Sequence, residues 1–151
     1  MIAIDGYEFP PFDLVRLLRT VFRVEPHESF GVFTDLPDPH AVKGFSYLDH
    51  PGLEPQKLAF TVLYSGLLSS SLGDPSFYAY QETGGSNLDL PDDVATPDGK
   101  TLPLRDALAR HTISLFMGRY SATAPATALA KEMGFRGATM HGTNAKVLAT
   151  G

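Results

Sequence analysis

The sequence predicts an α/β fold: a Rossmann-like layered fold with a mainly parallel sheet of at least four strands and helices on both faces. Three observations carry that expectation. Helical and strand-like segments alternate along the whole chain. The strand-like segments are near-continuous apolar runs, as a sheet covered on both sides requires. The chain has 151 residues, 43% of them apolar, enough for residues 1–151 to be read as a single domain with a real core.

The elements follow in order. Pro10 and Pro11 precede FDLVRLLRTVF, where Leu14, Val15, Leu18, Val21 and Phe22 form one helical face, and Pro26 ends that region. Phe30–Leu36 is short, β-branched and aromatic, and stops at Pro37-Asp38-Pro39, which predicts the first strand. Asp38 to Pro55 reads as a polar connection. From Pro55 onward, QKLAFTVLYSGLLSS predicts a helix that is apolar on nearly every side beyond Lys57 and so needs cover. Gly73-Asp74-Pro75 breaks it, and Ser76–Glu82 is the second strand. After the loop TGGSNLDLPDD, the stretch VATPDGKTLPL is either a small hairpin or an irregular excursion around Pro97-Asp98-Gly99. LRDALARH is a short helix and His111–Tyr120 the third strand. TAPATALAKEMG is a helix with Thr123 as N-cap, Pro125 in its first turn and Gly134 as C-cap. Gly137–Gly142 is the fourth strand, and Asn144–Thr150 offers about two further helical turns.

Composition excludes several function classes. Twelve Lys+Arg against 17 Asp+Glu give a net charge of −5, which argues against a general electrostatic grip on nucleic acid. Cysteine is absent, so disulfides, zinc–thiolate sites and cysteine nucleophiles are excluded. The start, MIAIDGYEFPPF, has no basic region and is not a signal peptide. The longest uncharged run, Leu58 to Gly73, has 16 residues, short of the ~20 that a membrane helix needs. No membrane partner and a cytoplasmic location are expected.

Ligands of open α/β sheets bind beyond the carboxyl ends of the strands. Those ends carry Asp35, then Glu82 with Gly84-Gly85, then Arg119, Ser121 and Thr123, and finally His141. These are the candidate ligand-binding residues, although any strand ends in a polar turn. Ser121 and Thr123 enter a helix N-terminus, where amide N–H groups hold anions, with Arg119 near by. Thr123 capping only its own helix is the plainer reading. His141, at the end of a buried strand, is the most interesting histidine, and Asp35, Glu82 and His141 are a conceivable carboxylate–histidine site. Asp89, Asp92, Asp93 and Asp98 lack the spacing of a calcium loop. HExxH, GxSxG and phosphate-loop patterns are missing, and no catalytic or metal-ligating residue is assigned.

The stretch RYSATAPATALAKEMGFRGATMHGTNAKVLATG resembles the aminopeptidase T family of thermophilic-type metallopeptidases, which are leucyl aminopeptidase-like. DLVRLLRTVFRVEPHESFGVFTDLPDP and FYAYQETGGSNLDLPDD resemble the amino-terminal half of the same proteins. The resemblance implies an amino-terminal α/β region of a protein about twice as long or longer. The family's two-metal site is built from the carboxyl-terminal region, so no metal or catalytic residue carries over to this chain. It further implies that the chain binds no cofactor itself, that a divalent metal belongs to the longer protein, and that the partner is a carboxyl-terminal domain or another subunit. The helical pattern that stops at Gly151 suggests a cut rather than a finished end.

Three functions therefore compete. One is an amino-terminal module of an aminopeptidase-like, metal-dependent hydrolase, inactive alone. The second is a self-contained small-molecule binding or transferase domain with a pocket lined by Asp35, Glu82, Ser121 and His141. The third is a non-catalytic interaction module. A small-molecule or peptide ligand is a possible partner under the first two.

Overall fold

A computed structural model describes residues 2–4, 7–9, 28–70 and 75–141. The helix expected over FDLVRLLRTVF and the turns expected from Asn144 lie outside the described residues. Strands β1 (Ile2–Ile4) and β2 (Tyr7–Phe9) pair antiparallel as a separate two-stranded sheet, which the sequence reading did not anticipate.

The main sheet has six strands: β3 (Phe30–Leu36), β4 (Pro75–Gln81), β5 (Asp93–Ala95), β6 (Thr101–Pro103), β7 (Ile113–Gly118) and β8 (Arg136–His141). The four expected strands are β3, β4, β7 and β8, within two residues of their expected ends. Their spatial order is β6-β5-β4-β3-β7-β8. The pairs β3–β4, β3–β7 and β7–β8 are parallel, whereas β4–β5 and β5–β6 are antiparallel.

The sheet is therefore mixed, and the expectation of a mainly parallel, Rossmann-like sheet is overturned. The cause lies in two connections. A parallel return needs a crossover, usually a helix. Residues 82–92 contain none. They turn back through Gly84 (φ 82) and Asn87 (φ 60), so β5 runs against β4. VATPDGKTLPL is then a hairpin: Thr96 N donates to Lys100 O at 2.9 Å and Gly99 N to Thr96 O at 3.0 Å.

Helices cover both faces, as the apolar strands require. On one face lie α1, continuous through Glu54–Leu58, a π-helical Ala59–Tyr64 and Ser65–Ser69, and a kinked 3-10 segment, Pro39–Asp49, within the connection read as merely polar. Ala59, Leu63 and Leu67 of α1 and Val42 and Tyr47 of the 3-10 segment are fully buried against Phe30, Val32, Leu36, Ile113, Leu115 and Met117. Burial of each such large side chain contributes roughly 1.5–3 kcal/mol. Phe45 takes a left-handed backbone (φ 57), and its ring packs 4.6 Å from Phe60 and 5.4 Å from Phe77. The other face carries α2 (Leu104–Ala109) and α3 (Thr123–Met133). There Phe33 stacks between Tyr78 at 4.8 Å and Phe116 at 4.9 Å, joining three strands under Leu108 and Ala126. Among the described residues, no helix is long and apolar enough to cross a membrane.

Candidate functional site

The strand order reverses between β3 and β7, since β4 follows β3 on one side and β7 lies on the other. This is the switch point at which open α/β sheets take ligands. The two strands stay paired only from Phe30–Ile113 to Phe33–Phe116. Beyond that, β3 remains with β4 as far as Leu36–Gln81, and β7 with β8 as far as Gly118–His141, so the sheet forks.

Asp35 stands in the fork with 1% of its surface exposed. Its Oδ1 accepts from Arg119 N at 2.8 Å and Gln56 Nε2 at 3.1 Å, and its Oδ2 accepts from Tyr120 N at 3.1 Å. A buried carboxylate is costly unless several donors compensate it, and here there are three. Gln56 is itself fixed, because Tyr47 Oη donates to its carbonyl oxygen at 2.8 Å. Gly118 leaves the room: a β-carbon there would lie 2.4 Å from Asp35 Oδ1. Burial pushes the Tyr80 phenol well above its ordinary range, and the charge of Asp35 adds to this.

Arg119 joins this arrangement through its backbone. Its side chain is exposed, with the guanidinium carbon 5.0 Å from the centre of the Tyr120 ring. Ser121 and Thr123 meet at the start of α3, but Thr123 is the first helical residue and Ala122 is the N-cap, without a side-chain bond. The expected Thr123 cap is replaced by Asn87 from the preceding loop. Its Oδ1 accepts from Ala124 N at 3.0 Å and from Ser121 Oγ at 3.2 Å, while its own N–H donates to Ser121 O at 2.8 Å. Thr123 Oγ1 lies 2.6 Å from Thr139 Oγ1 on β8. Asn87 thus satisfies the Ala124 amide, and Ser121 Oγ accepts from Thr123 N at 3.3 Å, so two of the N–H groups that could receive an anion are already taken. Gly134 ends α3 in the left-handed conformation, as expected.

Glu82 donates its N–H to Leu36 O at 3.0 Å, and its Oε2 is buried without a hydrogen-bond partner among the described residues. His141 is the last residue of β8, opposite Gly118; its side chain lies outside the described part. Asp35, Arg119 and Ser121 are thus gathered at the β3 and β7 exits, but Asp35 is taken up by Arg119 N, Tyr120 N and Gln56, and Ser121 by Asn87 and Thr123. Among the described residues, no cluster of three or more His, Cys, Asp or Glu is placed to hold a metal ion. A cavity of about 490 Å³ on the α2–α3 face is lined by Asp89, Leu90, Asp92, Leu104, Arg105 and Leu129 among others, and by none of the six candidates.

A second polar cluster lies at the opposite, amino-terminal edge of the sheet. Ser29 Oγ is 2.8 Å from His111 Nδ1, and Tyr78 Oη is 2.7 Å from His111 Nε2. The sequence reading singled out His141 and passed over His111. The available signal was a histidine directly before an apolar strand, which has no spacing partner to mark it. Burial, and then the nearby charge of Arg110, push the His111 pKa down to about 4.

This depressed value sets a direction with pH. Above ~6.5 the imidazole is neutral in both the folded and unfolded chain. As pH falls from there toward about 4, the unfolded chain takes up a proton that the folded one resists, so stability declines through that window. The expected loss is on the order of 1–2 kcal/mol after allowance for solvent screening. Urea midpoints measured at several pH values should show this limb, and His111→Gln should flatten it. An equally steep limb in the variant would assign the loss to other groups.

Comparison with protein-family models, with curated proteins and with solved structures found no match to this chain.

Proposed function

We propose that this chain serves as the amino-terminal α/β module of an aminopeptidase-like, metal-dependent hydrolase, with the metal chemistry supplied by a partner domain or subunit. The observation that carries this reading is the use of Asp35. At the place where α/β sheets ordinarily seat a ligand, the one deeply buried carboxylate of the candidate set ties α1 and the β7 exit together. Asn87 engages the start of α3 in the same way. These groups hold a framework and leave the catalytic groups to be provided elsewhere. The residue pattern from Arg119 to Gly151 supports the aminopeptidase T affiliation. The lack of cysteine is in keeping with a reducing compartment, and we place the protein in the cytoplasm.

The test is hydrolysis of leucyl-4-nitroanilide together with equilibrium dialysis against zinc and cobalt. The chain alone should bind neither metal stoichiometrically and should release no nitroaniline. The protein translated from the uninterrupted reading frame, or the chain reconstituted with its partner, should do both. Metal-dependent turnover by the 151-residue chain alone would sink the proposal. So would an inactive reconstituted protein.

A further inference from the structure

We propose that Ser29 is a nucleophile toward short apolar carboxylic esters, with His111 as its base and Tyr78 as the residue that orients the imidazole. A hydroxyl within hydrogen-bond reach of an imidazole that is itself held by a third group is the arrangement that activates a serine. Here the three groups come from adjacent strands: Ser29 just before β3, Tyr78 within β4 and His111 just before β7. The ring of His111 fits because residue 31 is glycine: a β-carbon there would lie 2.8 Å from His111 Cδ2. The imidazole is thus set in one orientation by a strand on either side.

The cluster adjoins a cavity. His111 lines a space of about 420 Å³ together with Glu28, Leu108, Thr112, Met133 and Phe135 among others. Ser29 is half-buried and does not itself line this space, but its chain neighbour Glu28 and its hydrogen-bond partners His111 and Thr112, whose Oγ1 accepts from Ser29 N at 3.0 Å, do. Leu108, Met133 and Phe135 offer an apolar wall for a short acyl chain. Burial keeps His111 unprotonated at neutral pH, so one ring nitrogen carries a lone pair. When Nε2–H donates to Tyr78 Oη, that nitrogen is Nδ1, facing Ser29 Oγ, whose hydroxyl hydrogen must then turn to it from the Arg110 carbonyl oxygen 3.4 Å away.

The step balances as an acyl transfer. Ser29 Oγ bonds to the ester carbonyl carbon while its proton passes to His111 Nδ1. The carbon–alkoxide bond then breaks, and the alkoxide leaves with that proton. Water repeats the sequence with His111 as base, freeing the carboxylic acid and restoring the serine. A base held near pKa 4 is weak and slows both steps; with a good leaving group acylation is the faster of the two, so it is the readable event. The site does not depend on the hydrolase reading above, and its chemistry should persist in a chelator.

The experiment is stopped-flow release of 4-nitrophenolate from 4-nitrophenyl acetate by the full chain in EDTA, followed by peptide mass mapping. We expect a burst of one equivalent, acetyl on Ser29, and no burst from Ser29→Ala. His111→Gln should slow acylation by ~10²–10⁴-fold, the usual worth of a positioned base. Tyr78→Phe should retain the burst at a lower rate with a shifted pH profile. Absence of a burst above that of the urea-unfolded chain overturns the proposal, as does acetyl carried on another residue. If His111→Gln fails to fold, Ser29→Ala still decides the question, because it removes only one partly exposed hydroxyl.

Discussion

Asp35→Ala is expected to lower stability by about 3–5 kcal/mol, the usual cost of removing one side of a buried, charge-assisted hydrogen-bond set. The mutation leaves the N–H groups of Arg119 and Tyr120 and the Nε2 of Gln56 without their acceptor inside the fork. Each orphaned donor costs roughly 1–3 kcal/mol, partly offset because a buried charge disappears with the side chain. The vacated space has the shape of a small carboxylate facing two backbone donors. Formate should therefore restore part of the loss, and chloride at equal ionic strength should not. Urea unfolding of both proteins, with and without formate, reads this directly. A loss below about 1 kcal/mol, or equal rescue by both salts, would show that the carboxylate does not hold the fork.

Gly118→Ala should cost about 2–4 kcal/mol, for a steric reason that can be isolated. Gly118 is not in the left-handed region, so alanine suffers no backbone penalty of its own. Its β-carbon would lie 2.4 Å from Asp35 Oδ1 and 2.7 Å from Cγ. The carboxylate must then move, yet its two backbone donors are the next residues in the chain, Arg119 and Tyr120. They cannot follow without unpairing the end of β7 from β8. In an Asp35→Ala background the obstruction is gone, and the same substitution should be far milder. A double-mutant cycle should give a coupling of about 1–3 kcal/mol. Additive losses across the four proteins would refute the clash as the cause.

Asp35 also shows how far the sequence could be read. As the one polar residue but Thr34 inside the run Phe30–Leu36, at a strand exit, it was visible as a candidate. Its role was not, because its partners lie 21 and 84–85 residues away, and the gap it fills exists only because β3 and β7 part company after Phe33. Asn87 was hidden for a similar reason. A loop asparagine after two glycines looks like turn chemistry, whereas its acceptor oxygen serves a helix 37 residues further on. Ser29, Tyr78 and His111 lie in no motif, and pairing of their strands alone brings them together.

The sequence by itself determined the α/β class, the positions of four of the strands, the apolar α1, the glycine end of α3 and the two-sided burial of the sheet. These follow from residue periodicity and from local backbone preferences, which act over a few residues at a time. The tertiary structure alone decided that the sheet is mixed, that its order reverses between β3 and β7, and that the strand-end carboxylate is held internally. Strand direction depends on the path of a connection, and residues 82–92 turn back without a crossover helix. A side chain's task depends on what distant strands bring to it, and local pattern carries no record of that.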